Sequence, residues 1–101
     1  MAVELTARTK ETIAYLFSPE KIPLVERLLV EECGGNLPLY KPSTPEGLER
    51  VRLAVLKISA GDEDKLLEAV LLARRDWRDV LVWAGFGNDL QAHHKWAEGL
   101  K

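Results

Sequence analysis

The segment from Asp62 to Phe86 has the densest apolar content in the chain, and a cluster of charged residues between Arg74 and Asp79 interrupts it. When residues are placed 100° apart around a helix axis, the apolar residues of its first half cover nearly every side. These residues are Leu66, Leu67, Ala69, Val70, Leu71, Leu72 and Ala73. A helix with apolar residues on most sides needs neighbouring helices on several sides. The sequence therefore predicts that this segment forms the centre of an all-helical core.

Asp76 decides whether the segment is one helix or two. Its carboxylate can accept a hydrogen bond from the backbone N–H of Arg78 or Asp79, which makes it a candidate N-cap. The alternative is a continuous helix with an Arg75–Asp79 ion pair four residues apart. Because aspartate is a poor residue inside a helix and a good cap, we favour two helices joined by a bend at Asp76.

Helix start and stop signals divide the rest of the chain. Ser18-Pro19-Glu20 and Thr44-Pro45-Glu46 each combine a capping residue with a proline at the first helical position. Gly34-Gly35 and Gly61 are expected to end helices. We therefore expect helices at 19–33, 45–59, 62–75, 77–85 and 88–98, with a shorter helix at 9–17.

The predicted fold is all-α, a single helical domain spanning residues 1–101. It is a compact bundle of four main helices with a short N-terminal helix, in which 62–75 and 77–85 count as one bent element. Residues 1–8 are expected to be a loose leader, and residues 36–44 a proline-containing loop. A length of 101 residues suffices for such a core without disulfides or a metal ion.

The charge balance and the single cysteine limit the classes of function. A formal net charge of −2 argues against a dedicated nucleic-acid binder, which usually has a basic excess. One cysteine excludes an internal disulfide and fits a reducing compartment. Charged residues such as Glu4, Arg8 and Lys10 argue against a signal peptide, and no apolar run reaches the roughly 20 residues of a membrane span. We therefore expect a cytoplasmic protein that does not bind membranes.

Cys33, His93 and His94 are the only set of residues that suggests nucleophilic catalysis. However, Cys33 lies at a predicted helix C-terminus beside Glu31 and Glu32. Both the helix dipole and these carboxylates disfavour a thiolate there. We therefore interpret Cys33 as a small core residue.

Two further patterns fail as catalytic or nucleotide sites. Three arginines within six residues keep the carboxylates of Asp76 and Asp79 ionised, whereas a general acid has to hold its proton near neutral pH. Gly34-Gly35 and Gly85-Phe86-Gly87 lack the lysine and hydroxyl residue of a phosphate-binding loop. The sequence therefore predicts no enzyme activity and no cofactor.

His93 and His94 are also the candidates for a metal site. Adjacent residues of a helix point about 100° apart, so we expect the two imidazoles to diverge. Asp89–His93 and His94–Glu98 have a spacing of four residues, but each pair supplies only two ligands. We therefore predict ordinary side-chain pairs on a solvated helix and no metal ion; the alternative is that one of the two histidines faces inward with Leu90 and Ala97.

Two tryptophans indicate an interaction surface. Trp83, with Val82, lies off the inward stripe of the helix at 77–85, and Trp96 lies in the last helix. If both tryptophans stay partly exposed beside Phe86, they form an aromatic patch of the kind enriched at interfaces; alternatively, the other helices cover them. We predict a non-enzymatic interaction module that forms a homodimer, or binds another protein, through its C-terminal helices. The candidate interface residues are Val82, Trp83, Phe86 and Trp96.

The alternative function is a small nucleic-acid-binding regulator with a helix–turn–helix between Val80 and Ala97. Its basic residues would be Arg74, Arg75, Arg78 and Lys95. The predicted recognition helix carries Asp89 and Glu98 beside a single lysine, so it offers few contacts to phosphates. We therefore favour the interaction module.

Overall fold

A computed structural model describes residues 4–33, 45–87 and 91–100, and for residues 45 and 46 only the backbone. Within these ranges the chain forms six α-helices and no strand, which confirms the all-helical prediction for them. The helices are α1 (Ala7–Leu16), α2 (Ile22–Glu32), α3 (Pro45–Ser59), α4 (Glu63–Arg75), α5 (Trp77–Ala84) and α6 (Ala92–Gly99). The body is compact, with a radius of gyration of 12.0 Å. None of these helices combines the length and the apolar content needed to cross a membrane.

The number of helices differs from the predicted four main ones plus a short one, because α4 and α5 are separate helices. Asp76 between them has an extended backbone, with φ −156° and ψ 100°. Its carboxylate accepts a hydrogen bond of 3.0 Å from the backbone N–H of Arg78. The prediction that Asp76 caps a second helix is confirmed, whereas the four-helix bundle is not. α5 and α6 have only eight residues each.

The helix boundaries agree only in part with the predicted ones. α3 has the predicted bounds. α1 starts at Ala7, earlier than the predicted 9–17, because Thr6 Oγ1 accepts a hydrogen bond of 3.1 Å from the Thr9 N–H, so the expectation of a loose leader is wrong for residues 7 and 8. α2 starts later than predicted, since residues 19–21 form a turn before it. Several predicted features lie outside the described residues: 1–3 of the leader, the stop at Gly34-Gly35, the loop at 36–44, and 88–90 at the start of the last helix.

The centre of the core is α3, and not the segment from Asp62 to Phe86. Residues 51 to 56 of α3 are all buried, with at most 1% exposure each, so this helix is covered on every side. It packs against α1, α4, α5 and α6. α4 buries a single face and leaves Leu67 and Leu71 exposed at 42% and 65%. The prediction that the segment from Asp62 to Phe86 forms the centre of the core is therefore wrong. The reason is that an apolar pattern does not determine how many neighbouring helices cover α4.

Arg52 is a charged residue inside this core, with 1% of its surface exposed. Its Nε donates hydrogen bonds to the backbone carbonyls of Leu29 at 3.2 Å and Cys33 at 3.1 Å. Its Nη1 donates to the carbonyl of Glu4 at 3.0 Å. The last carbonyls of a helix have no partner within the helix. Arg52 therefore satisfies the end of α2 and joins it, with the segment before α1, to α3.

The turn after α5 determines where Phe86 lies. Gly85 has a left-handed backbone, with φ 83°. Its N–H donates to the carbonyl of Val82 at 3.0 Å, and the N–H of Phe86 donates to the carbonyl of Leu81 at 2.8 Å. These are the two hydrogen bonds of the predicted Schellman motif, which folds the residue after the glycine back onto the helix. Phe86 accordingly lies in the core and is 1% exposed.

Candidate functional site

Three side chains from distant parts of the chain meet where α3, α6 and the start of α1 come together. They are Glu49, His93 and His94, and we refer to them as the Glu–His cluster. Each offers one atom that can bind a metal ion, and these atoms lie within 4.8 Å of one another. Glu49 lies in the second turn of α3, and both histidines lie in the first turn of α6.

Both imidazoles of the cluster approach the same carboxylate oxygen. His94 Nε2 lies 3.2 Å from Glu49 Oε2, and His93 Nε2 lies 3.9 Å from it. The centroids of the two rings are 4.0 Å apart. The expectation that the adjacent histidines diverge is therefore wrong. The 100° separation describes the Cα–Cβ directions, whereas the side-chain torsions bring both rings to a carboxylate that lies between them.

Polar side chains on two sides hold the cluster in place. Thr6 Oγ1 donates a hydrogen bond of 2.7 Å to Glu49 Oε1, which fixes the carboxylate from the start of α1. His94 Nδ1 lies 3.0 Å from Gln91 Oε1, which orients the imidazole from the residue before α6. Each of these two hydrogen bonds therefore uses the atom of Glu49 or His94 that does not take part in the contact between Glu49 Oε2 and His94 Nε2.

Arg8 provides a positive charge beside the cluster. Its guanidinium lies 3.8 Å from Glu49 Oε2 and also 3.8 Å from the carboxylate of Glu98. Glu98 therefore pairs with Arg8, although the sequence suggested a pair with His94. The other predicted pair involves Asp89, which lies outside the described residues.

Exposure to solvent is uneven across the cluster. The side chains of Glu49 and His93 are 7% and 6% exposed, whereas that of His94 is 33% exposed. The cluster is therefore buried on its inner side and opens to solvent at His94. The prediction of side-chain pairs on a solvated helix face is wrong for His93, whereas the alternative that one of the two histidines faces inward is confirmed for His93.

His93 is a buried imidazole without its usual hydrogen bonds. Its Nδ1 has no hydrogen-bond partner in the described part of the chain, and its Nε2 lies beyond hydrogen-bonding distance of Glu49. Burial, followed by the nearby His94, lowers the pKa of His93 to about 4, so the ring is neutral at neutral pH. Buried polar atoms almost always have a partner. A neutral imidazole is also the form that binds metal ions, so the cluster could hold one.

The predicted interface residues fall into two groups. Val82 and Trp83 are exposed on α5, at 70% and 60%. Phe86 is buried, and Trp96 is partly buried, with its ring centroid 6.1 Å from that of Phe86. An exposed patch that includes Phe86 does not exist, because the turn at Gly85 folds Phe86 into the core.

A groove of about 290 Å³ lies beside Trp83, between α3, α4 and α5. The residues that line this Trp83 groove are Lys57, Ile58, Lys65, Glu68, Trp83 and Ala84. Its lining combines apolar surface with charges of both signs. The volume lies at the lower limit of small-molecule sites, which usually measure about 300 to 1,000 Å³.

A second exposed apolar surface runs along α2 and α4. Ion pairs join Lys21 to Glu63 at 3.0 Å and Glu32 to Arg74 at 3.3 Å, and in both pairs the residues are 42 positions apart. The two helices therefore lie side by side in parallel. Three exposed leucines lie on these two helices, and we refer to them as the leucine surface: Leu24, Leu67 and Leu71. The sequence pattern had placed the two from α4 in the core.

The basic residues of the nucleic-acid alternative are only partly available. Arg74 and Arg78 each pair with a carboxylate of their own chain, in both cases at 3.3 Å. Arg75 and Lys95 are exposed, the first on α4 and the second on α6. The four residues therefore offer less positive charge to a ligand than their number suggests.

Cys33 is a core residue, as predicted. It lies at the end of α2 with no exposed surface, and burial raises the pKa of its thiol to about 12. It does not belong to the Glu–His cluster. Within the described residues, the cysteine and the histidines therefore do not form a nucleophile and base.

Searches of protein-family models, of curated proteins and of solved structures found no match to this chain.

Proposed function

We propose that this protein is a non-enzymatic interaction module that self-associates through a surface centred on Trp83, with a second copy of the chain as its partner. The supporting observation is that Trp83 is 60% exposed at the edge of a groove lined by charges of both signs. Tryptophan is the residue type most enriched at the energetic centres of protein interfaces, where it fills a pocket of the partner.

The chemistry of the Trp83 groove favours a second copy over an unrelated partner. In a two-fold dimer each contact occurs twice, so one surface has to complement itself. The Trp83 groove combines an exposed indole, an apolar floor at Ile58 and Ala84, and both lysine and glutamate side chains. The indole of one copy can enter the groove of the other, while lysines of one copy approach Glu68 of the other.

The contribution of each candidate residue follows from its exposure. Trp83 supplies the centre of the contact, and Val82, which is 70% exposed, extends the apolar area on the adjacent side of α5. Phe86 and Trp96 pack against each other beneath the turn after α5. They are therefore assigned a supporting role, in which they hold α5 in position.

We also propose that the module has no enzyme activity and works in the cytoplasm. The single cysteine is buried with a raised thiol pKa, and it is separate from the histidines. A single unpaired thiol is typical of proteins in a reducing compartment.

Binding of nucleic acid remains the weaker alternative, because two of its four basic residues already pair with carboxylates. Phosphate contacts dominate the affinity of nucleic-acid-binding proteins and make it depend on salt. A shift in electrophoretic mobility of mixed DNA or RNA that weakens steeply as salt is added would favour this alternative.

The experiment is a matched pair of charged substitutions, Trp83→Glu and Leu71→Glu. Both residues are apolar and about equally exposed, at 60% and 65%, but Leu71 belongs to the leucine surface. We expect Trp83→Glu to convert the dimer into a folded monomer and Leu71→Glu to leave it dimeric, as measured by light scattering, with circular dichroism as the test of folding. Dissociation by Leu71→Glu alone would assign the contact to the leucine surface and reject the proposal.

A further inference from the structure

The Glu–His cluster has the ligand composition of a site for a borderline transition metal. Zinc is bound by imidazole nitrogens and carboxylate oxygens, and in many open sites two histidines and one glutamate hold it. Calcium and magnesium require ligand sets made of oxygen. Two imidazoles beside one carboxylate therefore favour zinc or a similar divalent ion.

The distances in the cluster are close to those that such an ion requires. With zinc–ligand bonds of about 2.0 to 2.2 Å, neighbouring ligand atoms of a tetrahedral site lie roughly 3.3 Å apart. The separation between His94 Nε2 and Glu49 Oε2 is 3.2 Å, which already equals such an edge. The separation between His93 Nε2 and the same oxygen is 3.9 Å, and all three ligand atoms lie within 4.8 Å of one another, so the ring of His93 has to move closer to the other two ligands when an ion binds.

The hydrogen bonds around the cluster have the arrangement that supports metal ligands. Histidine ligands usually bond through their second nitrogen to a nearby oxygen, and ligating carboxylates are themselves hydrogen-bonded. His94 Nδ1 lies 3.0 Å from Gln91 Oε1, and Glu49 Oε1 accepts a hydrogen bond of 2.7 Å from Thr6. Neither contact uses His94 Nε2 or Glu49 Oε2, which face each other at 3.2 Å, so an ion would take the place of their mutual contact.

His93 supplies an independent observation that points to a ligand. It is 4% exposed, and its Nε2 lies 3.9 Å from Glu49 Oε2, which is too far for a hydrogen bond. A metal ion bound at Nε2 gives this buried ring a polar partner.

Arg8 is the group that competes with a cation for Glu49. Its guanidinium lies as close to Glu98 as to Glu49, at 3.8 Å in both cases, and its side chain is 36% exposed. Arg8 can therefore keep one ion pair, with Glu98, when it moves away from Glu49.

We propose that Glu49, His93 and His94 form a binding site for one divalent transition-metal ion, with zinc as the expected ion and a fourth position open to water on the exposed side of His94. The site shares no residue with the Trp83 groove, so the proposal does not depend on self-association.

The test is calorimetric titration of zinc chloride into the full chain after dialysis against a chelator. We expect saturable binding of one zinc ion per chain. Glu49→Gln and His94→Ala should each weaken the affinity at least tenfold, whereas Glu20→Gln, which removes an exposed carboxylate outside the cluster, should leave it unchanged. Glu49→Gln keeps an acceptor for Thr6, and His94 is partly exposed, so both variants are suited to retain the fold.

Two further measurements separate metal binding from a structural role. Cobalt(II) in place of zinc should produce visible absorption bands of tetrahedral coordination, which no structural hydrogen bond can generate. Circular dichroism verifies the fold of each variant. A parent chain without saturable zinc binding would overturn the proposal, and so would folded Glu49→Gln and His94→Ala variants that both bind zinc as tightly as the parent.

Discussion

At the scale of single residues, buried polar side chains in α3 carry information that the apolar pattern does not. Arg52 joins three separate parts of the chain through backbone carbonyls, and Glu49 gathers side chains from α1 and α6. Burial of a charged group is costly unless its hydrogen bonds are satisfied. Both residues therefore mark places where elements distant in sequence are fixed together.

Replacement of Arg52 by methionine should destabilise the protein strongly. The change keeps most of the side-chain volume but leaves the carbonyls of Leu29, Cys33 and Glu4 without this donor. We expect a loss of about 3 kcal/mol in the free energy of unfolding, because buried acceptors would lose a charged partner. Arg75→Met, at an exposed position of α4, should change it by less than about 0.5 kcal/mol. Urea unfolding measures both values, and equal effects would contradict this role of Arg52.

The thiol of Cys33 should be unreactive in the folded protein. It is fully buried, and burial raises its pKa to about 12, so the thiolate that attacks thiol reagents is scarce at neutral pH. We expect slow labelling under native conditions and rapid labelling in denaturant. Cys33→Ala should cost on the order of 1 kcal/mol of stability. Rapid labelling of the native protein would show that the end of α2 is open to solvent.

At the scale of helices and turns, the two ends of α5 were predicted from local residues. Asp76 and the turn at Gly85 were identified in the sequence because a cap or a Schellman motif depends on residues within one helical turn. The same motif explains why Phe86 is buried. Local chemistry therefore predicted the ends of α5. It did not predict the start of α2, where a turn at residues 19–21 follows the start signal, and it could not determine which helix face meets a neighbour.

The turn between α3 and α4 should depend on glycine at position 61. Gly61 has φ 84°, and a Cβ atom there would lie 2.7 Å from the carbonyl oxygen of Leu16. Gly61→Ala should therefore cost at least about 1 kcal/mol of stability. Gly99→Ala is the matched control, because nothing lies within 4 Å of its added Cβ. It should stabilise the protein by up to about 1 kcal/mol, since alanine favours the helix.

Thermal unfolding of both variants tests this difference. The melting temperature should fall for Gly61→Ala and stay the same or rise for Gly99→Ala. A tolerated alanine at position 61 would contradict the close approach of this turn to the end of α1.

The candidate site was less predictable than the helices, because its residues are far apart in sequence. Glu49 lies 45 positions before His94, and no local spacing connects them. The one feature of the sequence that could have indicated the site is Glu49, a charged residue in the helix at 45–59. It indicates a buried polar site only once that helix is known to be the centre of the core. Likewise, Leu67 and Leu71 were assigned to the core because the sequence does not reveal how many helices cover α4.

At the scale of the whole molecule, α3 separates two surfaces with different proposed roles. α1 and α6 meet it at the Glu–His cluster, whereas α4 and α5 meet it at the Trp83 groove. Each surface can be altered without touching residues of the other. Loss of zinc binding in Glu49→Gln should therefore leave self-association intact, and Trp83→Glu should leave zinc binding intact.

Sedimentation equilibrium of the parent chain is the most direct test of self-association. The chain has a mass of 11.4 kDa, so a dimer has twice that mass. We expect the average mass at micromolar concentration to approach the dimer value and to fall toward the monomer value on dilution. The Trp83→Glu variant should keep the monomer mass throughout. A parent chain that has the monomer mass at every concentration would contradict the proposed function.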